Sequence, residues 1–234
     1  LIPAVSLLLY RVLDAYAVTT GWKKNPLLAD TINQITSAQF PDEVGTYGPE
    51  PANQDVVVLL IGSRSNHPLG ILAPGYKEMG KFFSNMVKDL EESPEEYGFL
   101  GMTSWLGAAD RTAGNELMQV AYFKTVEGLH AFAQGPEHRK AMDWWFKTAK
   151  EHDYLAIWHE VFHAPKGHWE NIYMNSHAGG MMSTTHKIFD KASGTEMWAS
   201  PIVEAGKGVL KSSATRMGRK EADADLLERG GEKY

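Results

Sequence analysis

Six consecutive residues, Val56-Val57-Val58-Leu59-Leu60-Ile61, carry no polar side chain. Successive side chains of a strand point to opposite faces, so an unbroken β-branched and leucine run argues for a strand buried on both sides. The run closes at the polar turn Gly62 to Pro68. Tyr76, Met79, Phe83, Met86, Val87 and Leu90 then recur at helical spacing until Glu91-Glu92, and Ser93-Pro94 stops the helix. Strands follow at Phe99–Leu106 and Leu117–Phe123, joined by a loop from Gly107 to Asn115. A second helical region opens on Thr125, a candidate N-cap, restarts at Gly135-Pro136 and runs to about Lys150. Tyr154 to Ala164 reads as a strand, and Trp169 to Asn175 as a further short one. The order β-α-β-β-α-β predicts an α+β fold built on a ferredoxin-like unit. One such unit leaves a sheet face to cover. No internal repeat supplies the cover, so the expected assembly is a homodimer whose two sheets face each other in a dimeric α+β barrel.

The length, 234 residues, suits one domain with appendages. The expected division is 1–54, an N-terminal helix and wrapping linker punctuated by Pro26, Pro41, Pro49 and Pro51; 55–190, the α+β domain; and 191–234, a C-terminal extension whose charged tail beyond Lys207 is expected to be an exposed helix or disordered arm. A formal net charge of −6 gives no electrostatic footprint for nucleic acid. The absence of cysteine removes disulfides, thiolate metal sites and cysteine nucleophiles, so any metal must be held by His and carboxylates. The opening Leu-Ile-Pro-Ala-Val-Ser-Leu-Leu-Leu is too short an apolar run to span a bilayer, which takes about 20 residues. It reads as an interfacial helix, the end of an upstream membrane anchor or a helix packed on the domain. The expected location is intracellular, cytoplasmic or membrane-associated.

His159-Glu160-Val161-Phe162-His163 matches the His-Glu-x-x-His pattern of zinc hydrolases, whose chemistry needs a helix to bring both imidazoles to one ion. The surrounding Ile157, Trp158, Val161 and Phe162 favour a strand, which would hold the two rings about 13 Å apart. His138 shares a helical face with Met142, Trp145 and Ala149. From periodicity it reads as a core histidine, or as a neutral imidazole aimed into an apolar cavity, the arrangement a haem iron's axial ligand needs. His159 has the chemistry of a general acid/base, and Glu160 beside it faces the other way. Ser63 and Arg64 stand at the exit of the first strand, where polar site residues often lie, although turn chemistry explains them equally well.

From Val56 to about Thr185 the chain resembles a fungal family of dimeric α+β barrel monooxygenases of the antibiotic-biosynthesis type. The segments that carry the resemblance are Leu60 to Gly70, Tyr97-Gly98-Phe99-Leu100-Gly101, and Ile157 to Val161 continuing through Gly167 to Tyr173. Its C-terminal half is more weakly similar to haem-containing aldoxime dehydratases, through Pro136-Glu137-His138, Trp158-His159-Glu160-Val161 and Asn175-Ser176-His177. That second resemblance implies His138 as proximal ligand of haem b, His159 as catalytic histidine and Ser63 as catalytic serine. The arginine of that family has no counterpart here, and cofactor-free members of the wider fold exist. The expectation is a haem-dependent oxygenase of a lipophilic polyketide or terpenoid. His138 would bind the metal, Met142 and Trp145 would line the cofactor pocket, and Arg64 with Ser63 would bind a polar end of substrate or a haem propionate. His159, Ser63 and Glu160 would serve catalysis. A cofactor-free enzyme, a lyase of the aldoxime dehydratase type and a non-catalytic carrier of hydrophobic ligands, or partner subunit, are the alternatives.

Overall fold

A computed structural model describes residues 2–108 and 116–220. Helix α1, Ile2–Thr19, leads through an irregular segment to strand β1, Thr36–Ala38. Strand β2, Val56–Ser65, follows, then helix α2, Tyr76–Glu92, and strands β3, Phe99–Leu106, and β4, Leu117–Phe123. Helices α3, Val126–Ala133, and α4, Pro136–Thr148, lead into strand β5, Leu155–Ala164. The chain ends through β6, His186–Asp190, β7, Thr195–Ala199, β8, Ile202–Glu204, and a single turn α5, Ser213–Arg216.

The central sheet is antiparallel in the order β3-β4-β2-β5. This is the ferredoxin-like arrangement, with the first strand of the unit inside and the last at an edge. The apolar run dictates that place, because both of its faces are covered. Val57 and Leu59 join Leu90 of α2, Phe99, Ala121, Phe123, and Leu129 and Phe132 of α3 in one core under the helices. On the opposite face Val56 packs with Leu100, Tyr122, Phe40, Trp169, Met181 and Met182. Each fully buried chain such as Val56, Val57 or Phe123 contributes about 1.5–3 kcal/mol.

Local signals set the helix ends. The Thr125 hydroxyl accepts from Gly128 N at 3.0 Å, and Pro136 occupies the first turn of α4, where its missing N–H costs nothing. Gly75 enters α2 at φ 77°, and a β-carbon there would meet the His152 ring at 2.4 Å.

Four expectations need correction. Strand β2 continues through Ser65, so Ser63 and Arg64 lie on the strand rather than in a turn. Pairing with β5 along its full length, from Val56↔Ala164 to Ser65↔Leu155, carries it there despite the polar composition. Residues 169–175 form no strand; Trp169 is anchored by its indole N–H donating to the Gln54 carbonyl at 2.7 Å, and Tyr173 makes an isolated bridge to Thr36. The sheet face expected to be bare is partly covered by the chain's own flanking segments, which supply Phe40, Trp169, Met181 and Met182. The segment after Lys207 does not stand free as far as residue 220. Ala214 and Arg216 are buried, and Arg216 Nε donates to Glu170 Oε2 at 2.6 Å. Residues 109–115 of the expected hairpin loop and 221–234 of the tail lie outside the described residues.

Strand β1 pairs with β8, and β6 with β7, so residues on both sides of position 190 build one hairpin.

Candidate active site

A cavity of about 380 Å³ lies between the helix-facing side of the sheet and helices α2 and α4. Its walls are mainly hydrocarbon and aromatic: Met79, Phe82, Phe83 and Met86 from α2; Met142, Trp144 and Trp145 from α4; Ile61 and Ile157 from the sheet. The helical periods responsible are those legible in the sequence. Each helix turns its apolar stripe to the sheet, and near the β2–β5 end the stripes stand apart and leave a void.

Five polar side chains interrupt that wall. Strand parity puts Ser63, Gln119 and His159 on the same face, because Ile61 registers with both His159 and Gln119, and Ser63 follows Ile61 by two residues. From the helices come Tyr76, in the first turn of α2, and His138, in the first turn of α4. His138 Nδ1 and the Tyr76 hydroxyl are both buried without a hydrogen-bond partner among the described residues. Buried polar atoms are normally paired, so two unpaired ones in one apolar cavity mark where a ligand's polar atoms belong. Burial holds the His138 imidazole below its ordinary 6.5; the Ala133 backbone opposes that shift, and the nearby His159 adds to it. At neutral pH the ring is therefore uncharged and free to accept a proton. Ser104 donates its hydroxyl to Gln119 Oε1 at 2.7 Å, which leaves the amide N–H₂ as the donor available to a bound molecule.

The two histidines singled out from sequence thus meet at one cavity, with Ser63, Met142 and Trp145. Arg64 and Glu160 are elsewhere. Each precedes or follows a cavity residue by one, so each points to the opposite face of the sheet. Arg64 Nη1 stands 3.8 Å from Glu116 Oε2, and Trp158 Nε1 donates to the other oxygen of that carboxylate at 3.2 Å. Glu160 registers with Leu60 on that face and is exposed. Tyr76 and Gln119 are the residues that sequence reasoning passed over. Tyr76 looked like one more apolar position of α2, and only the fold reveals that its hydroxyl is stranded; Gln119 carries a signal of its own, a polar residue at an inward position of an otherwise apolar strand.

The His-Glu-x-x-His pattern lies within β5, so its two histidines are four residues apart on a strand. His163 Nε2 is 2.8 Å from Asp55 Oδ2, which employs it at the sheet edge. Among the described residues no three His, Asp or Glu side chains converge on a common point. Haem needs an axial ligand and cations or donors for two propionates. His138 meets the first requirement. The described cavity lining contains no Lys or Arg, and the arginine expected there faces the other way. The lining thus offers an axial ligand and the neutral donors Tyr76, Gln119 and Ser63, but no cation for a propionate.

The family described as monooxygenase af470-like matches residues 56–181. Monooxygenase af470 of Aspergillus fumigatus is 34% identical over 218 residues, covering 93% of this chain and 78% of that protein. Among solved structures, SnoaB, a cofactor-independent oxygenase from Streptomyces nogalater, is 15% identical with a TM-score of 0.31 over 45% of this chain and 90% of its own. An aldoxime dehydratase in complex with butyraldoxime is 15% identical with a TM-score of 0.38, over 61% of this chain and 34% of its own.

Proposed function

The chain belongs to the monooxygenase af470-like family, and from that premise we propose that it oxygenates a lipophilic polyketide or terpenoid at an activated C–H bond, using its own histidines in place of a bound cofactor. The observation that carries this reading is the neutral, unpartnered Nδ1 of His138 beside the unpartnered Tyr76 hydroxyl in a hydrocarbon-walled cavity. The walls suit a substrate that is apolar over most of its surface. The Tyr76 hydroxyl and the Gln119 amide donate to a substrate carbonyl or phenol oxygen, and His138 Nδ1 takes the proton from the carbon that this oxygen acidifies. His159, on the sheet wall and exposed, exchanges protons with solvent. An activated methylene and dioxygen give a ketone and water. Both hydrogens leave in the water, and the substrate supplies all four electrons, so no reductant is needed.

Oxygen uptake with a panel of hydrophobic 1,3-diketones and polycyclic phenols, after chelator treatment, tests the proposal. Turnover with one atom of ¹⁸O₂ in the product supports it. A Soret band on haemin titration, lost in His138→Ala and required for turnover, replaces the cofactor-free reading with a haem enzyme. Tight binding of every compound without turnover makes the protein a carrier.

The assembly we infer is a homodimer through the uncovered part of the sheet face opposite the helices, where Phe162 is 50% and Trp105 53% exposed. Sedimentation should give twice the chain mass, and Phe162→Asp should give the single chain.

A further inference from the structure

The exposed apolar side chains of α1 have no cover among the described residues. Val5, Leu8, Leu9, Val12, Leu13 and Tyr16 are each between 56% and 66% exposed. The side-chain hydrogen bonds at this end of the chain stay within it: Thr19 and Thr20 bond back into the helix, and Lys23 pairs with Asp14. We propose that α1 lies in the surface of a lipid bilayer and tethers the domain there.

Three observations choose lipid over another occupant. The first is angular. At about 100° per residue, Val5, Leu9, Val12 and Tyr16 fall close to one line, with Leu8 and Leu13 to either side, an exposed apolar arc about 140° wide; Leu7 lies outside it, between Arg11 and Asp14. A second helix covers a narrower stripe, whereas acyl chains cover the whole immersed arc. The second is the charged remainder, Arg11 and Asp14, which lie about 60° apart on the far side of the helix and face headgroups when the apolar arc is submerged. The third is the exit from the helix. Trp22 is 81% exposed, stacks edge-on against Tyr16 with centroids 6.0 Å apart, and precedes Lys23 and Lys24. Amphipathic aromatics followed by lysines are the residues that favour the boundary between acyl chains and headgroups. No described helix is long and apolar enough to cross a membrane. This placement of α1 does not rest on the reaction assigned to the cavity.

Flotation of the full chain with vesicles of four parts phosphatidylcholine to one part phosphatidylserine is the test. The wild-type chain should float. Leu9→Asp with Leu13→Asp should lower the partition coefficient by more than about tenfold, with the thermal midpoint of the domain unchanged because α1 is not part of its core. Lys24→Gln should lower binding to these vesicles about fivefold and leave binding to pure phosphatidylcholine unchanged. Wild-type chain remaining at the bottom of the gradient overturns the proposal. So does flotation unaffected by the aspartates, or an oligomer in lipid-free buffer that the aspartates dissociate without any flotation.

Discussion

His138 and Gly62 show how single positions govern this site. If the neutral imidazole takes the proton, His138→Ala should lower kcat by about 10²- to 10⁴-fold while leaving substrate binding largely intact. The acid limb of kcat/KM should fall with a midpoint below pH 6.5, because burial favours the uncharged ring and the active form survives to lower pH than for a free histidine. A limb centred above 6.5 would exclude His138 as that base. Tyr76→Phe removes one neutral hydrogen bond, and a loss of about 2- to 10-fold in kcat/KM is expected. Gly62 works by absence. The Trp158 indole lies across it, so that a β-carbon would sit 2.2 Å from Cε2, a rigid ring atom. Gly62→Ala should therefore displace the indole from Glu116 and destabilise the fold by about 1–3 kcal/mol, read as a fall in the urea midpoint at constant slope.

At the scale of elements, periodicity made most of the central unit legible. Phe99–Leu106 and Leu117–Phe123 are readable to the residue because each is rich in apolar and aromatic residues and is bounded by a glycine or a charged residue, and α2 is readable because its stripe is uninterrupted between Tyr76 and Leu90. What composition hid was pairing. Gly62 to Ser65 looks like a turn in isolation and is a strand because β5 is there to receive it. The same parity that brought His159 to the cavity carried Arg64 and Glu160 away from it, a distinction of one residue that becomes a distinction of sheet face once the strand is continuous. The last described helical turn, α5, is held against the domain for a similar reason. Its Arg216 donates to Glu170 and, through Nη1, to the carbonyls of Leu210 and Lys211 at 3.1 and 3.2 Å, partners that no local pattern announces. Arg216→Gln should cost about 2 kcal/mol, less than a fully buried pair because Glu170 keeps 24% of its side-chain surface in water. Chemical denaturation of the variant measures it.

Across the whole molecule, one buried histidine ties stability to pH. His186 is 4% exposed, stacks on Phe40 with centroids 4.4 Å apart, and lies 3.2 Å from the Thr184 hydroxyl. Burial, helped by Lys124, pushes its pKa down from 6.5 to about 4. The unfolded chain takes up a proton near pH 6.5 and the folded one does not until about 4, so this contribution is intact above 6.5 and is lost as pH falls between those values. The loss amounts to at most about 3 kcal/mol. Urea unfolding at pH 7.5 and 4.5 should show it, and His186→Gln should remove that part of the slope. The chain's closing contacts have a further consequence in time. Thr36 pairs with Glu204, and Asn171 donates its amide to the Ala38 carbonyl at 3.0 Å while accepting from the Ala38 N–H at 2.6 Å. On a ribosome, the strand Thr36–Ala38 emerges long before either partner exists. The α+β unit can assemble once β5 has been made, whereas the second core beneath its far face must wait for the last fifth of the described chain. Maturation should therefore proceed in two steps, and a nascent chain stalled shortly after Ala164 should protect the amides of β2 while leaving those of β1 open to exchange.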